Sequence, residues 1–77
     1  MDLTDAADVM TPAYLTVLAK GYSVHEENGL MVAMKGSDRF SAEGSVALLG
    51  VIVVAEERGE NWRAADSEVE DFVSRFG

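Results

Sequence analysis

The chain has no cysteine, and this absence excludes disulfide bonds and thiolate metal sites. A lack of thiol pairs is typical of proteins in reducing compartments, so we expect a cytoplasmic protein. Residues 1–77 are predicted to form a single domain. Chains of this length bury only about 60–65% of the surface that the unfolded chain exposes. The core is therefore small, and a partner subunit is a common supplement to such a core.

Basic residues are scarce: six Lys and Arg stand against 14 Asp and Glu, for a net charge of −8. Binding to phosphates needs the opposite sign, so we expect no direct contact with nucleic acid and none with an anionic membrane surface. No basic segment followed by an apolar run lies near Met1, so no signal peptide is expected. The longest apolar run, Val46–Ala55, is shorter than the roughly 20 residues that cross a bilayer.

Residues that carry catalysis are also few. The one histidine, His25, shares a predicted strand face with Glu27, but two ligands are too few for a closed metal site. A solvated edge residue is the favoured interpretation of His25. The sequence has no nucleophile elbow, glycine-rich phosphate loop or calcium loop. We therefore expect a protein that is not an enzyme and that holds no metal or cofactor.

The first third of the chain predicts a helix and then a hairpin. The helix either runs from Thr4 to Lys20 with a kink at Pro12, or begins with Thr11 as N-cap and Pro12 as first residue. Gly21 is predicted to end it in a left-handed conformation. Asn28-Gly29 is typical of a two-residue type I′ turn.

This turn fixes the register of a hairpin over Tyr22–Lys35. The second strand, Leu30–Met34, is apolar on both faces, which indicates a central strand beside an edge strand. A short third strand near Phe40 completes a three-stranded antiparallel meander. The predicted cross-strand pairs are Tyr22 with Lys35, Ser23 with Met34, Val24 with Ala33, His25 with Val32, Glu26 with Met31 and Glu27 with Leu30.

Two further helices are predicted, which makes the fold class α+β. Ser41–Arg58 is interpreted as a long apolar helix capped by Ser41, although the β-branched run Val51–Val54 is also compatible with a strand. A short C-terminal helix begins at Ser67, whose side chain forms a capping box with Glu70. Its apolar residues recur at i, i+3, i+4 and i+7 and are expected to face the core; they are Val69, Phe72, Val73 and Phe76.

The negative charge is concentrated in the last third of the chain, with a second cluster at Asp2, Asp5 and Asp8. Solubility alone accounts for such a charge. A single-sign surface also suits a partner protein with a basic surface. Trp62 and Arg63 would anchor that contact, unless Trp62 is buried between the flanking helices. The candidate partner-binding residues are Glu56, Glu57, Glu60, Trp62, Arg63, Asp66, Glu68, Glu70 and Asp71.

Three functions follow as hypotheses. The first is a small acidic intracellular protein-interaction module, an adaptor or inhibitor without catalytic activity. The second is a phage-type acidic inhibitor that occupies the basic nucleic-acid groove of a host complex, such as a defence system. The third is a small enzyme or ligand-binding domain, which requires a closed apolar pocket with convergent polar groups. A homodimer formed through the apolar segment Val46–Ala55 is a separate hypothesis, since small cores often need a partner subunit.

Overall fold

The computed structural model describes residues 1–4 and 7–77. Within them, helices accompany one three-stranded antiparallel sheet, so the fold class is α+β as predicted. Short 3-10 turns, Ala7–Val9 and Gly59–Asn61, precede the first helix and follow the second. The elements in chain order are α1 (Met10–Ala19), β1 (Ser23–Glu27), β2 (Leu30–Lys35), β3 (Asp38–Ala42), α2 (Ser45–Arg58) and α3 (Asp66–Phe76).

The hairpin between β1 and β2 has the predicted turn and the predicted register. Asn28 and Gly29 have φ angles of 51° and 81°, as a type I′ turn requires at both central residues. The five predicted pairs from Ser23 with Met34 to Glu27 with Leu30 are all present. The sixth predicted pair, Tyr22 with Lys35, is not part of the strand pairing, because β1 begins at Ser23. The strand order β1-β2-β3 confirms β2 as the central strand.

Helix α1 begins earlier than predicted from the Thr11-Pro12 pair. Val9 occupies the N-cap position, so the predicted Thr11 cap is wrong and Pro12 is the third residue of the helix. Proline is tolerated there because backbone N–H groups of the first turn have no partner within the helix. The longer alternative, Thr4–Lys20, includes residues 5 and 6, which lie outside the described residues. Gly21 follows the helix with a φ of 95°, as predicted.

The long apolar helix predicted over Ser41–Arg58 is not found in that form. Ser41 and Ala42 belong to β3, where they pair with Val32 and Met31 of β2. This pairing satisfies backbone groups that a helix cap would otherwise have to satisfy. Helix α2 begins at Ser45, after an extended Gly44, and spans 14 residues. Its last turn is charged rather than apolar.

The core lies between helices α1 and α2 and one face of the sheet. Val17 of α1, Leu48 and Ile52 of α2, and Ala33 of β2 are fully buried and pack with Tyr22. Successive strand residues point to opposite faces, so the neighbouring Val32 lies on the other face of the sheet. Burial of each large side chain contributes about 1.5–3 kcal/mol to the free energy of unfolding.

The N-cap of helix α3 lies two residues before the predicted one. Ala65, not Ser67, occupies the N-cap position, and the Glu68 carboxylate accepts a hydrogen bond from the Ala65 N–H at 2.8 Å. Glu68 therefore makes the contact that was predicted for Glu70. The predicted burial of α3 is also wrong: in the described structure none of its residues is buried. Gly59, with a φ of 64°, ends α2 and starts the connection that leads to α3.

Candidate functional site

Helix α3 carries an exposed apolar stripe. Its members are 48–76% exposed, as they would be in an isolated helix. The Phe72 and Phe76 rings contact each other, with their centroids 5.4 Å apart. A stripe at i, i+3, i+4 and i+7 normally marks the buried side of a helix, yet here no other element covers it in the described part of the chain. The α3 stripe consists of Val69, Phe72, Val73 and Phe76.

Acidic side chains flank the α3 stripe on both sides. Successive residues of a helix are offset by about 100°, which places Asp66 and Glu70 along one border and Glu68 along the other. Asp71 lies farther round the helix, where Arg75 donates to its carboxylate at 3.0 Å. Helix α3 thus carries four acids against one arginine, and the predicted acidic residues of this segment surround an apolar surface.

A second apolar surface lies along α2, next to Phe40 of β3 and Trp62 of the connection. It is an open groove of about 720 Å³. Gly50 leaves its middle open, since a Cβ added there would meet nothing within 4 Å. No residue of α3 lines it. The α2 groove is lined by Phe40, Ala47, Gly50, Val51, Val54, Ala55 and Trp62.

Trp62 and Arg63 lie in the connection between α2 and α3. Trp62 is 49% exposed, so it is not buried between the flanking helices, and one side of it lines the α2 groove. The Arg63 guanidinium lies 4.7 Å from the centre of the Trp62 ring, within the range of a cation–π contact. Their predicted role as partner anchors stays a prediction.

The acids at the end of α2 form a separate group from those of α3. Glu56 accepts a hydrogen bond from the Lys20 ammonium at 2.7 Å, which raises the pKa of Lys20. Glu57 and Glu60 are exposed. Of the N-terminal aspartates, Asp2 and Asp8 are exposed, and Asp5 lies outside the described residues. The nine predicted residues therefore divide between the α2 end with its connection and the surround of the α3 stripe.

His25 belongs to a small polar cluster on the sheet face that carries Val32. Its Nε2 atom lies 2.5 Å from a Glu27 carboxylate oxygen, and Arg39 donates to the same oxygen at 3.2 Å. The hydrogen bonds from His25 and then from Arg39 lower the pKa of Glu27. Among residues 1–4 and 7–77, no three metal-binding side chains come together. The cluster offers an ion pair on an exposed surface.

Residues of the α3 stripe were missed as site residues, because amphipathic helices usually bury such a face. The α2 residues of the groove lie within Val46–Ala55, the segment predicted to form a homodimer contact, and Trp62 was predicted as a partner anchor. Gly50 is the sequence signal for the groove, since it interrupts an apolar helix without a turn or cap to explain it. No helix in the described ranges is long and apolar enough to cross a membrane. Comparisons with models of protein families, with curated proteins and with solved structures find no match to this chain.

Proposed function

We propose that this protein is a small acidic interaction module, an adaptor or inhibitor, that binds another protein through α3. The observation that carries the proposal is the exposed α3 stripe. An apolar row at i, i+3, i+4 and i+7 is the feature by which a helix docks into an apolar groove of a partner. The residues that would enter the groove are Val69, Phe72, Val73 and Phe76.

The charge around the stripe defines the chemistry of the partner. Glu68 and Glu70 border the stripe on opposite sides, so the matching groove has lysine or arginine along both rims. Complementary charges of this kind accelerate association and exclude acidic competitors. Phe72 and Phe76 supply most of the apolar area, because a buried aromatic side chain removes about 150–250 Å² from water.

Affinity capture with matched variants tests the proposal. The chain is immobilised and exposed to extract of its host, alongside the double variant Phe72→Ala/Phe76→Ala and the control Leu15→Ala. Leu15 is a similarly exposed apolar residue on α1, at 55%. We expect proteins that bind the wild type and the control but not the double variant, and whose retention falls as salt rises.

Hydrogen exchange then locates the contact in any captured complex. Protection of the α3 amides upon binding supports docking through this helix. Proteins retained equally by the double variant, or protection confined to other elements, would overturn the proposal.

A further inference from the structure

The α3 stripe and the α2 groove are two open apolar surfaces on one chain. We propose that, without a partner, the α3 stripe of one copy occupies the α2 groove of a second copy, and that this second copy returns the same contact. The dimer is argued from the geometry of the two surfaces. Its competition with a partner for α3 rests on the function proposed above.

The two surfaces match in length and in shape. Ala47, Gly50, Val51 and Val54 recur at i, i+3, i+4 and i+7 along α2, and the α3 stripe has the same spacing. Seven residues of helix span about 10 Å in each case. Ala47 and Gly50 are small, and a Cβ added at Gly50 would meet nothing within 4 Å, so a phenylalanine ring of α3 has room to approach the α2 backbone there.

Symmetry doubles this contact. Each copy supplies one stripe and one groove, and when both contacts form between the same two copies the interface is isologous and closes as a dimer. In two reciprocal contacts the four phenylalanine side chains bury about 600–1,000 Å², and the grooves that they cover bury a similar area, for a total on the order of 1,500 Å². That area lies within the range of stable interfaces, about 1,200–2,000 Å². One contact alone would fall below it.

The same chain's α3 does not occupy the groove. The connection from Gly59 to Ala65 leads α3 away, and every residue that lines the groove precedes α3. Trp62, inside this connection, already forms part of the groove wall. A helix from another copy meets no such constraint on its direction of approach.

Because of its charge, the dimer is expected to respond to salt differently from a partner complex. Each copy carries −8, so two copies repel each other at low ionic strength and salt strengthens their association. Binding to a groove with basic rims shows the opposite dependence, because salt weakens that attraction. The sign of the salt effect therefore distinguishes the two complexes.

Sedimentation equilibrium of the full chain, from micromolar to millimolar concentration and at low and high salt, tests the dimer. We expect a monomer–dimer equilibrium that shifts towards dimer with salt. Gly50→Leu fills the groove and Phe72→Ala/Phe76→Ala removes the rings, and each raises the dissociation constant by about tenfold or more. Gly50→Ala, a smaller addition at the same position, is the matched control and keeps the dimer.

A mixing experiment tests whether the contact joins these two surfaces. The Gly50→Leu chain keeps its stripe, and the Phe72→Ala/Phe76→Ala chain keeps its groove. Their mixture retains one intact contact, so we expect more heterodimer than either variant forms of homodimer. Circular dichroism of each variant checks that the helices remain, so that unfolding is not mistaken for lost association.

Three results would overturn the dimer. The first is a monomer mass at every concentration and salt. The second is a dimer that neither variant weakens. The third is a blue shift of Trp62 emission that is independent of concentration and is lost in Phe72→Ala/Phe76→Ala, which means that α3 folds onto its own groove. The capture experiment has a different readout, so partner binding can fail or succeed independently of these results.

Discussion

At the residue scale, Ser45 connects the two helices that cover the sheet. Its hydroxyl is buried and donates a hydrogen bond of 2.6 Å to the Met10 carbonyl oxygen at the start of α1. Ser45 is also the first residue of α2. This single bond therefore fixes the beginning of one helix against the beginning of the other.

Ser45→Ala removes the buried donor, and the Met10 carbonyl oxygen loses this hydrogen bond. We expect the free energy of unfolding to fall by about 1 kcal/mol, measured by urea denaturation. Ser74→Ala, at an exposed position of α3, is the control and should change stability by less. An equal effect of both substitutions would contradict a specific role for the Ser45 bond.

Glu27 provides a test of the charged cluster on the sheet. Its pKa is lowered from the ordinary 4.5 by the hydrogen bond from His25 and then by Arg39. A carboxyl group with a lowered pKa stabilises the fold above its ordinary pKa, and this contribution is lost as the pH falls through the folded pKa. NMR titration of the Glu27 carboxyl carbon should give a value below 4.5.

His25→Gln and Arg39→Gln should each move the Glu27 pKa back towards its ordinary value, with the larger movement for His25→Gln. A Glu27 titration that neither substitution changes would mean that these contacts do not form in solution.

At the element scale, the turns and the C-terminal ends of α1 and α2 could be predicted from sequence, whereas the starts of the helices could not. Asn28-Gly29 encodes its turn in two adjacent residues, and that turn fixes the hairpin register. The start of α2 depends on the pairing of Ser41 and Ala42 with β2, a contact between residues distant in sequence. The exposure of the α3 stripe was equally unpredictable, because the same periodicity describes a buried helix.

Helix α3 should be the least stable element of the free monomer. Isolated helices shorter than about 12–15 residues are marginal in water, and α3 has 11 residues without tertiary burial. Under dilute, low-salt conditions its amides should exchange far faster than those around Leu48 in α2. Protection of α3 equal to that of α2 in the monomer would show that the stripe is covered.

Gly50 weakens α2 without contributing to the packing of the core. Gly50→Ala should raise the free energy of unfolding by about 0.5–1 kcal/mol, because alanine loses less backbone entropy in a helix. Thermal unfolding of the monomer measures this gain. A loss of stability instead would mean that the groove side of α2 is packed closely within the monomer.

At the scale of the whole molecule, stability depends on very few side chains. Seven apolar residues are buried in the described structure, and Leu48 and Ile52 are the largest of those fully enclosed. The exposed apolar surface of the α3 stripe and the α2 groove is large compared with this small core. Of the nine acidic and anchor residues predicted from sequence, Trp62 lines the α2 groove. The others lie at the end of α2, in the connection or around the α3 stripe.

Leu48→Ala should remove about 2–5 kcal/mol of stability, which is a large part of the 5–15 kcal/mol typical of whole domains. We expect this variant to be mostly unfolded at physiological temperature, as measured by circular dichroism. Val51→Ala, on the exposed side of the same helix, is the control and should remain folded. Similar stability of the two variants would contradict the position of the core.

The backbone conformation of Gly59 restricts the substitutions that evolution can accept at this position. Its φ of 64° with a ψ of −147° is a backbone conformation that side-chain-bearing residues rarely adopt. A replacement at this one position would strain the backbone at the start of the connection to α3, while leaving every residue of the stripe and the groove intact. The path of the chain between the two surfaces thus depends on a residue that lines neither of them.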